Sequence, residues 1–211
     1  MAKYCCISDF HGNLKFEIPE CDVLLIAGDI CGPSDIFKQL SFINGPFKKK
    51  LENISVPIIF TPGNHDWVFE KCPYFEPTWM KTLIDKSIDI AGTKIYGSPW
   101  QPIFFDWAFN LDEEQLERKW SFIPDDTKIL LLHGPPHGIL DLTMEGVHTG
   151  SPSLNIRIEE LKELELVVFG HIHNSYGSLT KNFGNKDITF INASLCGEDY
   201  KLTRKPIIVE M

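Results

Sequence analysis

Side chains able to bind metal ions follow five of the apolar segments in this sequence of 211 residues. They occur in "SDFHGN", "AGDI", "PGNHD", "LLHGPP" and "GHIH", which together hold five of the seven histidines. Each segment alone has a structural alternative, such as a turn, a helix cap or a buried histidine. All five together favour a shared site, because functional loops of α/β proteins collect at the carboxyl ends of strands.

The spacing of these residues suggests two ligand groups. Asp9 and His11 are two positions apart, so their side chains lie on the same side of an extended chain. Asp29 has two carboxylate oxygens and could bridge two ions. The resulting hypothesis assigns Asp9, His11, Asp29 and His173 to one ion and Asp29, Asn64, His133 and His171 to the other.

The chemistry of this ligand set favours a site for phosphate. Mixed oxygen and nitrogen ligands suit divalent manganese, iron or zinc, and the absence of thiolates argues against a structural cysteine–zinc site. Two such ions, two aspartates and one hydroxide leave about one net positive charge for a phosphoryl group. That charge would replace an arginine clamp, since the chain has only three arginines.

Composition narrows the class of protein. A formal charge of −9 makes a partnership with duplex nucleic acid improbable, and no apolar run approaches the length of a membrane span. The N-terminal segment has no secretory pattern, and the six cysteines have no metal-binding spacing, so we expect reduced thiols in a cytoplasmic protein. With no linker in sight, residues 1–211 are expected to form a single domain.

Mostly continuous apolar runs predict strands that are covered on both faces. Strands are expected at 3–8, 22–28, 56–60, 93–98, 128–134, 164–170, 176–180, 187–194 and 206–211, and helices at about 34–51, 112–120 and 153–163. Strands and helices alternate early in the chain, and strands dominate later. This order predicts a layered α/β protein with two packed central sheets.

The ordered blocks D-x-H, GD, GNHD, H and GHxH resemble the calcineurin-like metallophosphoesterases. Further stretches, "GSPW", "HGPP", "VFGHIH" and "INAS", resemble the branch of metallophosphoesterase-domain phosphodiesterases. The resemblance implies a four-layer α/β/β/α sandwich with two central mixed sheets and a dinuclear metal centre, with manganese first and iron or zinc as alternatives. It also implies attack of a metal-bridging hydroxide on a small-molecule phosphodiester, with cyclic nucleotides among the substrates of the branch.

The same resemblance assigns catalytic roles to two residues that would not bind metal. His65 would stabilise the transition state or protonate the leaving oxygen, and Asp66 would orient His65 or its loop, although Asp66 could equally cap a helix. "GDICGPSD" lacks the D-R-G of protein phosphatases, which argues against phosphoprotein hydrolysis. A phosphomonoesterase and a non-catalytic scaffold remain the alternatives.

Three features carry weaker expectations. The aromatic segment 99–109 could border the site or stack on a base, although packing is the simpler interpretation. His137 and His148 are expected to be loop histidines. Nothing in the sequence indicates the oligomeric state.

Overall fold

The computed structural model describes residues 1–183 and 186–211 and contains two large β-sheets. The strands are β1 (Lys3–Ile7), β2 (Val23–Ala27), β3 (Ile58–Thr61), β4 (Lys81–Thr82), β5 (Lys86–Ile90), β6 (Thr93–Ser98), β7 (Gln101–Pro102), β8 (Asn110–Leu111), β9 (Ile129–Leu132), β10 (Leu166–Phe169), β11 (Gly177–Phe183), β12 (Lys186–Asn192) and β13 (Ile207–Glu210). The sheet orders are β13-β1-β2-β3-β4 and β11-β12-β10-β9-β6-β5, and β7 and β8 form a small separate pair. Both large sheets are mixed, because β13, β11 and β5 run antiparallel to their neighbours.

The three predicted helices lie near their expected positions, with one interruption, and the short helix Trp67–Lys71 was expected only as the alternative in which Asp66 caps it. They are α1 (Ile36–Phe42), α2 (Lys48–Leu51), α3 (Trp67–Lys71), α4 (Glu113–Trp120) and α5 (Pro152–Glu160). The helix expected over 34–51 is divided by a π-helical turn, Ile43–Phe47, that contains Pro46. Proline has no amide hydrogen to donate, so the regular hydrogen-bond ladder cannot continue through this position.

Alternating side chains divide the core into three layers of contact. In β2, Leu25 faces the other sheet, whereas Leu24 and Ile26 pack toward the helices on the outer face. In the second sheet, Val168 faces the first sheet, and Phe169 packs with the outer helices α4 and α5. Helices therefore cover the outer face of each sheet, which confirms the predicted α/β/β/α sandwich.

All nine predicted strands are present, and the sequence reading missed four. Three of the missed strands, β4, β7 and β8, have only two residues each. The fourth, β5, is the edge of the second sheet and is largely exposed, with Ile88 and Ile90 alternating with polar residues. A short edge strand buries too little apolar surface to give a continuous hydrophobic run.

The state of the cysteines and the lengths of the helices are two further features of the fold. All six cysteines are free thiols, and four of them are buried in the core. Within residues 1–183 and 186–211, no helix is long and apolar enough to span a bilayer, and α5 has nine residues.

Helix α4 begins with a capping box that gives a test of local stability. The Asp112 carboxylate accepts a hydrogen bond from the Gln115 amide at 2.8 Å, and the Gln115 side chain accepts one from the Asp112 amide at 3.0 Å. We expect Asp112→Ala to lower the free energy of unfolding by about 1 kcal/mol in urea denaturation. The control is Glu117→Ala, an exposed position of the same helix with the same charge change. Equal losses in the two variants would contradict the capping role.

Candidate metal centre

The seven predicted ligands lie in loops that follow the carboxyl ends of parallel strands. The first sheet supplies the loops after β1, β2 and β3, and the second sheet supplies those after β9 and β10. An isolated parallel bridge between Ser8 and Ser194 joins the two sheets beside these loops. The fold thus brings together all seven predicted ligands, namely Asp9, His11, Asp29, Asn64, His133, His171 and His173.

The side chains of the first predicted ligand group converge. Nε2 of His11 lies 3.2 Å from Nε2 of His173. Oδ1 of Asp9 lies 3.4 Å from the same His173 nitrogen. Oδ2 of Asp29 lies 3.8 Å from Nε2 of His11. Ligand atoms that surround one ion at ~2.1 Å are roughly 3 to 3.5 Å apart, so the spacing fits a shared cation.

The second group converges around the Asn64 amide. Oδ1 of Asn64 lies 2.8 Å from Nε2 of His133 and 2.9 Å from Nδ1 of His171. Oδ1 of Asp29 lies 3.5 Å from Nε2 of His133. The two oxygens of Asp29 therefore face different groups, one toward His11 and the other toward His133. This is the arrangement that a carboxylate shared between two ions requires.

Backbone carbonyls fix the orientation of two of the imidazoles. Nδ1 of His133 donates to the carbonyl of Ala27 at 2.9 Å, and Nδ1 of His173 donates to the carbonyl of Gly197 at 3.0 Å. A ring that holds its proton on Nδ1 presents the lone pair of Nε2 to the site. In His133 this lone pair faces the Asn64 oxygen at 2.8 Å. Two acceptor atoms so close to each other repel, and a cation that both of them bind would make the contact favourable.

The Asp9 carboxylate is buried and held by hydrogen bonds. The hydroxyls of Ser8 and Ser194 donate to Oδ2 at 2.5 and 2.8 Å, and the amide of His171 donates to the same oxygen at 3.0 Å. Oδ1 remains directed toward His173. The serine of the "INAS" stretch is therefore a support for a predicted ligand, a role that the sequence did not assign.

Four of the seven ligands have left-handed backbone conformations. The φ angles are 50° at Asp9, 44° at His11, 53° at Asp29 and 68° at His171. Each such residue other than glycine costs on the order of 1 kcal/mol, and such strain clusters at functional sites. Backbone hydrogen bonds hold the strained loops together, among them His11 N to Asp29 O at 3.1 Å.

Two glycines permit the close approach of these loops. A Cβ added at Gly170 would lie 2.0 Å from Oδ2 of Asp9, and one added at Gly63 would lie 2.2 Å from Oδ1 of Asp29. Any side chain at either position would displace a predicted ligand.

Burial determines the protonation behaviour of the ligands. The pKa of Asp29 is raised well above its usual range because the carboxylate is buried and Asp9 and Asp66 add negative charge. Burial lowers the pKa of His133 and of His171, which keeps both rings neutral and able to bind metal. Two buried carboxylates beside neutral imidazoles form an environment that divalent cations would stabilise. The residues present therefore fit a dinuclear metal site.

His65 lies at the floor of the adjoining cavity, next to both ligand groups. Its ring centroid is 4.1 Å from that of Trp107, at an interplanar angle of 30°, and 4.7 Å from that of His11 in an edge-on arrangement. Burial and the neighbouring His133 lower the pKa of His65 to about 4. By distance alone His65 also groups with His11 and Asp29, so its assignment as a non-ligand stays a prediction.

Asp66 ties two loops of the site together. Its carboxylate accepts hydrogen bonds from the amides of Gly63 at 2.8 Å, Cys31 at 2.9 Å and Ile30 at 3.3 Å. Although Asp66 precedes α3, its side chain makes no capping bond to that helix. Burial raises the pKa of Asp66 to about 6. These contacts connect the loop carrying His65 to the loop after β2.

A cavity of about 540 Å³ opens over the two ligand groups. Part of its wall comes from the aromatic segment 99–109, because Ile103, Phe104 and Phe105 line it and Trp107 stacks on His65. The cavity is lined in part by residues that the sequence reading did not single out, namely Thr143, Met144, Glu145, Thr149, Glu198 and Tyr200. These residues lie in loops without a repeated motif, so no sequence signal distinguished them.

The remaining two histidines lie outside the cavity wall. His137 and His148 are exposed, and Nδ1 of His148 lies 2.6 Å from Oδ1 of the buried Asp141. The Asp141 carboxylate also accepts bonds from the amides of Gly138 and Gly150, both at 3.0 Å. This network closes the loop 138–150, and it accounts for His148 structurally.

A sandwich of this kind with a convergent oxygen and nitrogen ligand set defines a metallophosphoesterase. The profile described as "Calcineurin-like phosphoesterase" matches residues 3–175, and the chain belongs to that family. The human "Metallophosphoesterase domain-containing protein 1" is 31% identical to the chain over 243 aligned positions, which cover 100% of this chain and 71% of the relative. A "UPF0046 protein" of Caenorhabditis elegans is 30% identical, with 100% of this chain and 60% of the relative covered. A "3′,5′-cyclic-nucleotide phosphodiesterase" of Nostoc is 24% identical, with 75% and 58% covered.

Assignment of the two "GHIH" histidines to different ions can be tested by metal stoichiometry. We expect His171→Ala and His173→Ala each to retain about one manganese ion per chain after dialysis, where the parent retains two, because each variant loses one ligand of one group. The double variant should retain neither ion. Metal content is measured by mass spectrometry, and His137→Ala is the control. If the double variant retained as much metal as either single variant, both histidines would serve the same ion.

The shared carboxylate gives a second test, based on thermal stability. We expect Asp29→Asn to raise the melting temperature of the metal-free protein, because burial and the nearby Asp9 and Asp66 disfavour the ionised form of the Asp29 carboxyl group, and an amide has no such ionisation. The same variant should lose most of the stabilisation by manganese, which in the parent is about 2.7 kcal/mol at 100 times the dissociation constant. Differential scanning calorimetry with and without manganese measures both effects. An unchanged response to manganese would contradict the shared role of Asp29.

Proposed function

We propose that this protein is a metal-dependent phosphodiesterase that acts on a small-molecule substrate. The observation that carries the proposal is the convergence of two ligand groups, joined by Asp29, beneath an open cavity. Two divalent ions bound there, with manganese as the proposed metal, would polarise the phosphoryl group and supply hydroxide near neutral pH. Hydrolysis forms one bond from a water oxygen to phosphorus and breaks one phosphorus–oxygen bond, with a proton passing to the departing alcohol.

His65 is the side chain proposed to act on the reacting phosphate. Its ring lines the cavity, and contacts with the rings of Trp107 and His11 restrict its orientation. A neutral imidazole in this position offers an N–H to the phosphoryl or leaving oxygen, where it stabilises developing negative charge. Asp66 acts through the backbone, because its hydrogen bonds hold the loop that carries His65 against the loop of Asp29.

Two features support a diester rather than a monoester. The cavity residues of the described chain include no lysine or arginine to balance the second negative charge of a monoester. The relative from Nostoc is named a cyclic-nucleotide phosphodiesterase, and a cyclic nucleotide contains a phosphodiester with one negative charge. Cyclic nucleotides are accordingly one proposed class of substrate. The six free thiols support a reducing compartment such as the cytoplasm.

A kinetic test addresses His65 and the reaction class together. We expect His65→Ala to reduce kcat on bis-p-nitrophenyl phosphate by roughly 10²- to 10⁴-fold, while the manganese content stays at the parental level. His137→Ala, an exposed histidine outside the cavity wall, is the matched control and should keep parental turnover.

Three outcomes would count against the proposal. Parental turnover in His65→Ala would remove the proposed role of that residue. Faster hydrolysis of p-nitrophenyl phosphate than of the diester would indicate a phosphomonoesterase. No bound manganese and no metal-stimulated hydrolysis would indicate a non-catalytic scaffold.

A further inference from the structure

The wall of the cavity above the ligands carries an unusual balance of charge for a phosphate site. Glu145 and Glu198 line it, from the loop 138–150 and from the loop that follows β12. None of the cavity residues in the described ranges is a lysine or an arginine. Apart from the metal ligands, the ionisable side chains that border the bound substrate would be these two carboxylates, the neutral His65 and the phenol of Tyr200.

Two cations that follow Glu198 in sequence, Lys201 and Arg204, are engaged elsewhere. The Lys201 ammonium pairs with Asp199 at 2.8 Å. The Arg204 guanidinium donates to the carbonyl of Cys196 at 2.6 Å and lies 5.2 Å from the centre of the Tyr176 ring. Neither side chain lines the cavity. No ion pair involves Glu145 or Glu198 in the part of the chain that the structure describes.

The loop that carries Glu198 is held in a fixed conformation. The amide of Gly197 donates to the carbonyl of Lys201, and the amide of Tyr200 donates to the carbonyl of Gly197, both at 2.9 Å. Tyr200 has a left-handed φ of 58°, and its ring lies edge-on to His11 at 4.7 Å and to His173 at 5.4 Å. This loop therefore places the carboxylate of Glu198 at the cavity wall beside the first ligand group.

Aromatic rings line the same cavity as the carboxylates. Phe104 and Phe105 contact each other edge-on at 4.5 Å and remain 48% and 77% exposed, and Tyr200 is 51% exposed. Aromatic faces combined with carboxylates bind quaternary ammonium groups, through cation–π attraction and through charge. The same carboxylates repel a second negative charge.

We propose that Glu145 and Glu198 select substrates by charge, so that the cavity admits phosphodiesters with one negative charge and binds most tightly those whose retained alcohol carries a quaternary ammonium group. This inference rests on the proposed phosphodiesterase function and names its substrate class. Monoesters, nucleoside polyphosphates and oligonucleotides are bound more weakly than a diester with the same alcohol, because each brings additional negative charge to the acidic wall.

Three p-nitrophenyl esters that release the same leaving group provide the test. They are p-nitrophenyl phosphorylcholine with a cationic alcohol, ethyl p-nitrophenyl phosphate with a neutral one, and p-nitrophenyl phosphate with a second negative charge. For the manganese-loaded protein, kcat/KM in Glu198→Gln is divided by the parental value for each ester, which cancels differences in intrinsic reactivity. We expect this quotient to fall for the choline ester and to rise for the monoester, each by roughly three- to thirtyfold relative to the ethyl ester.

Binding gives a readout that does not depend on turnover. Isothermal titration of choline phosphate and of ethyl phosphate compares two ligands that differ in the charge of the distal group. The parent should bind choline phosphate more tightly, and Glu198→Gln should reduce that preference by a similar factor. Glu145→Gln should act in the same direction. Glu163→Gln, an exposed position outside the cavity, should change neither measurement.

The outcomes separate this inference from the function on which it rests. If the parent hydrolyses the ethyl diester and both glutamine variants keep the parental order of the three esters, charge selection is wrong and the phosphodiesterase function stands. If the parent hydrolyses none of the esters and binds neither phosphate, the proposed function fails and the inference fails with it.

Discussion

Two buried carboxylates, Asp9 and Asp29, are the constraint on which the rest of this structure depends. They lie 20 positions apart in sequence, after adjacent parallel strands, and neither is more than 2% exposed. Such a pair is unfavourable without compensating positive charge, and two of the histidines around it, His133 and His171, are neutral because they are buried as well. The fold meets this constraint in two ways. Hydrogen-bond donors hold Asp9 in place, and imidazole and amide ligands surround Asp29 so that cations can complete the charge balance.

The local conformations around the centre favour function over stability. Three local features oppose folding when each is considered alone. They are the residues with left-handed backbone conformations, the glycines whose neighbours leave no room for a side chain, and the hydrogen-bond acceptors that face one another in the ligand groups. The sandwich can tolerate them because three continuous apolar clusters lie on and between the sheets. The rigid strands thereby fix the ends of the ligand-bearing loops, which would otherwise adopt less strained conformations. The geometry of the ligand set is a property of the whole sandwich.

Much of the fold and of the ligand set could be predicted from the sequence, because both depend on patterns that are local. Apolar runs marked nine strands, and the residues that follow them marked the seven ligands that the structure brings together. The exposed edge strand β5 buries too little to produce such a run. Tyr200 lies in no motif, and Ser194 lies in "INAS" without an assigned role. Their positions near His11 and Asp9 follow from strand pairing across the chain. Long-range pairing of this kind is the part that sequence patterns do not encode.

The hydrogen bond from Ser194 to Asp9 spans 185 positions, and it has a consequence for how the ligand set is assembled during synthesis. A nascent chain that has emerged only as far as His173 contains every predicted ligand but lacks β12 and the serine that holds Asp9. Contacts with such large sequence separation form late, since the entropy of closing a long loop opposes them. Metal binding would then require a completed sandwich, and a growing chain on the ribosome would not assemble the centre until its second sheet closes.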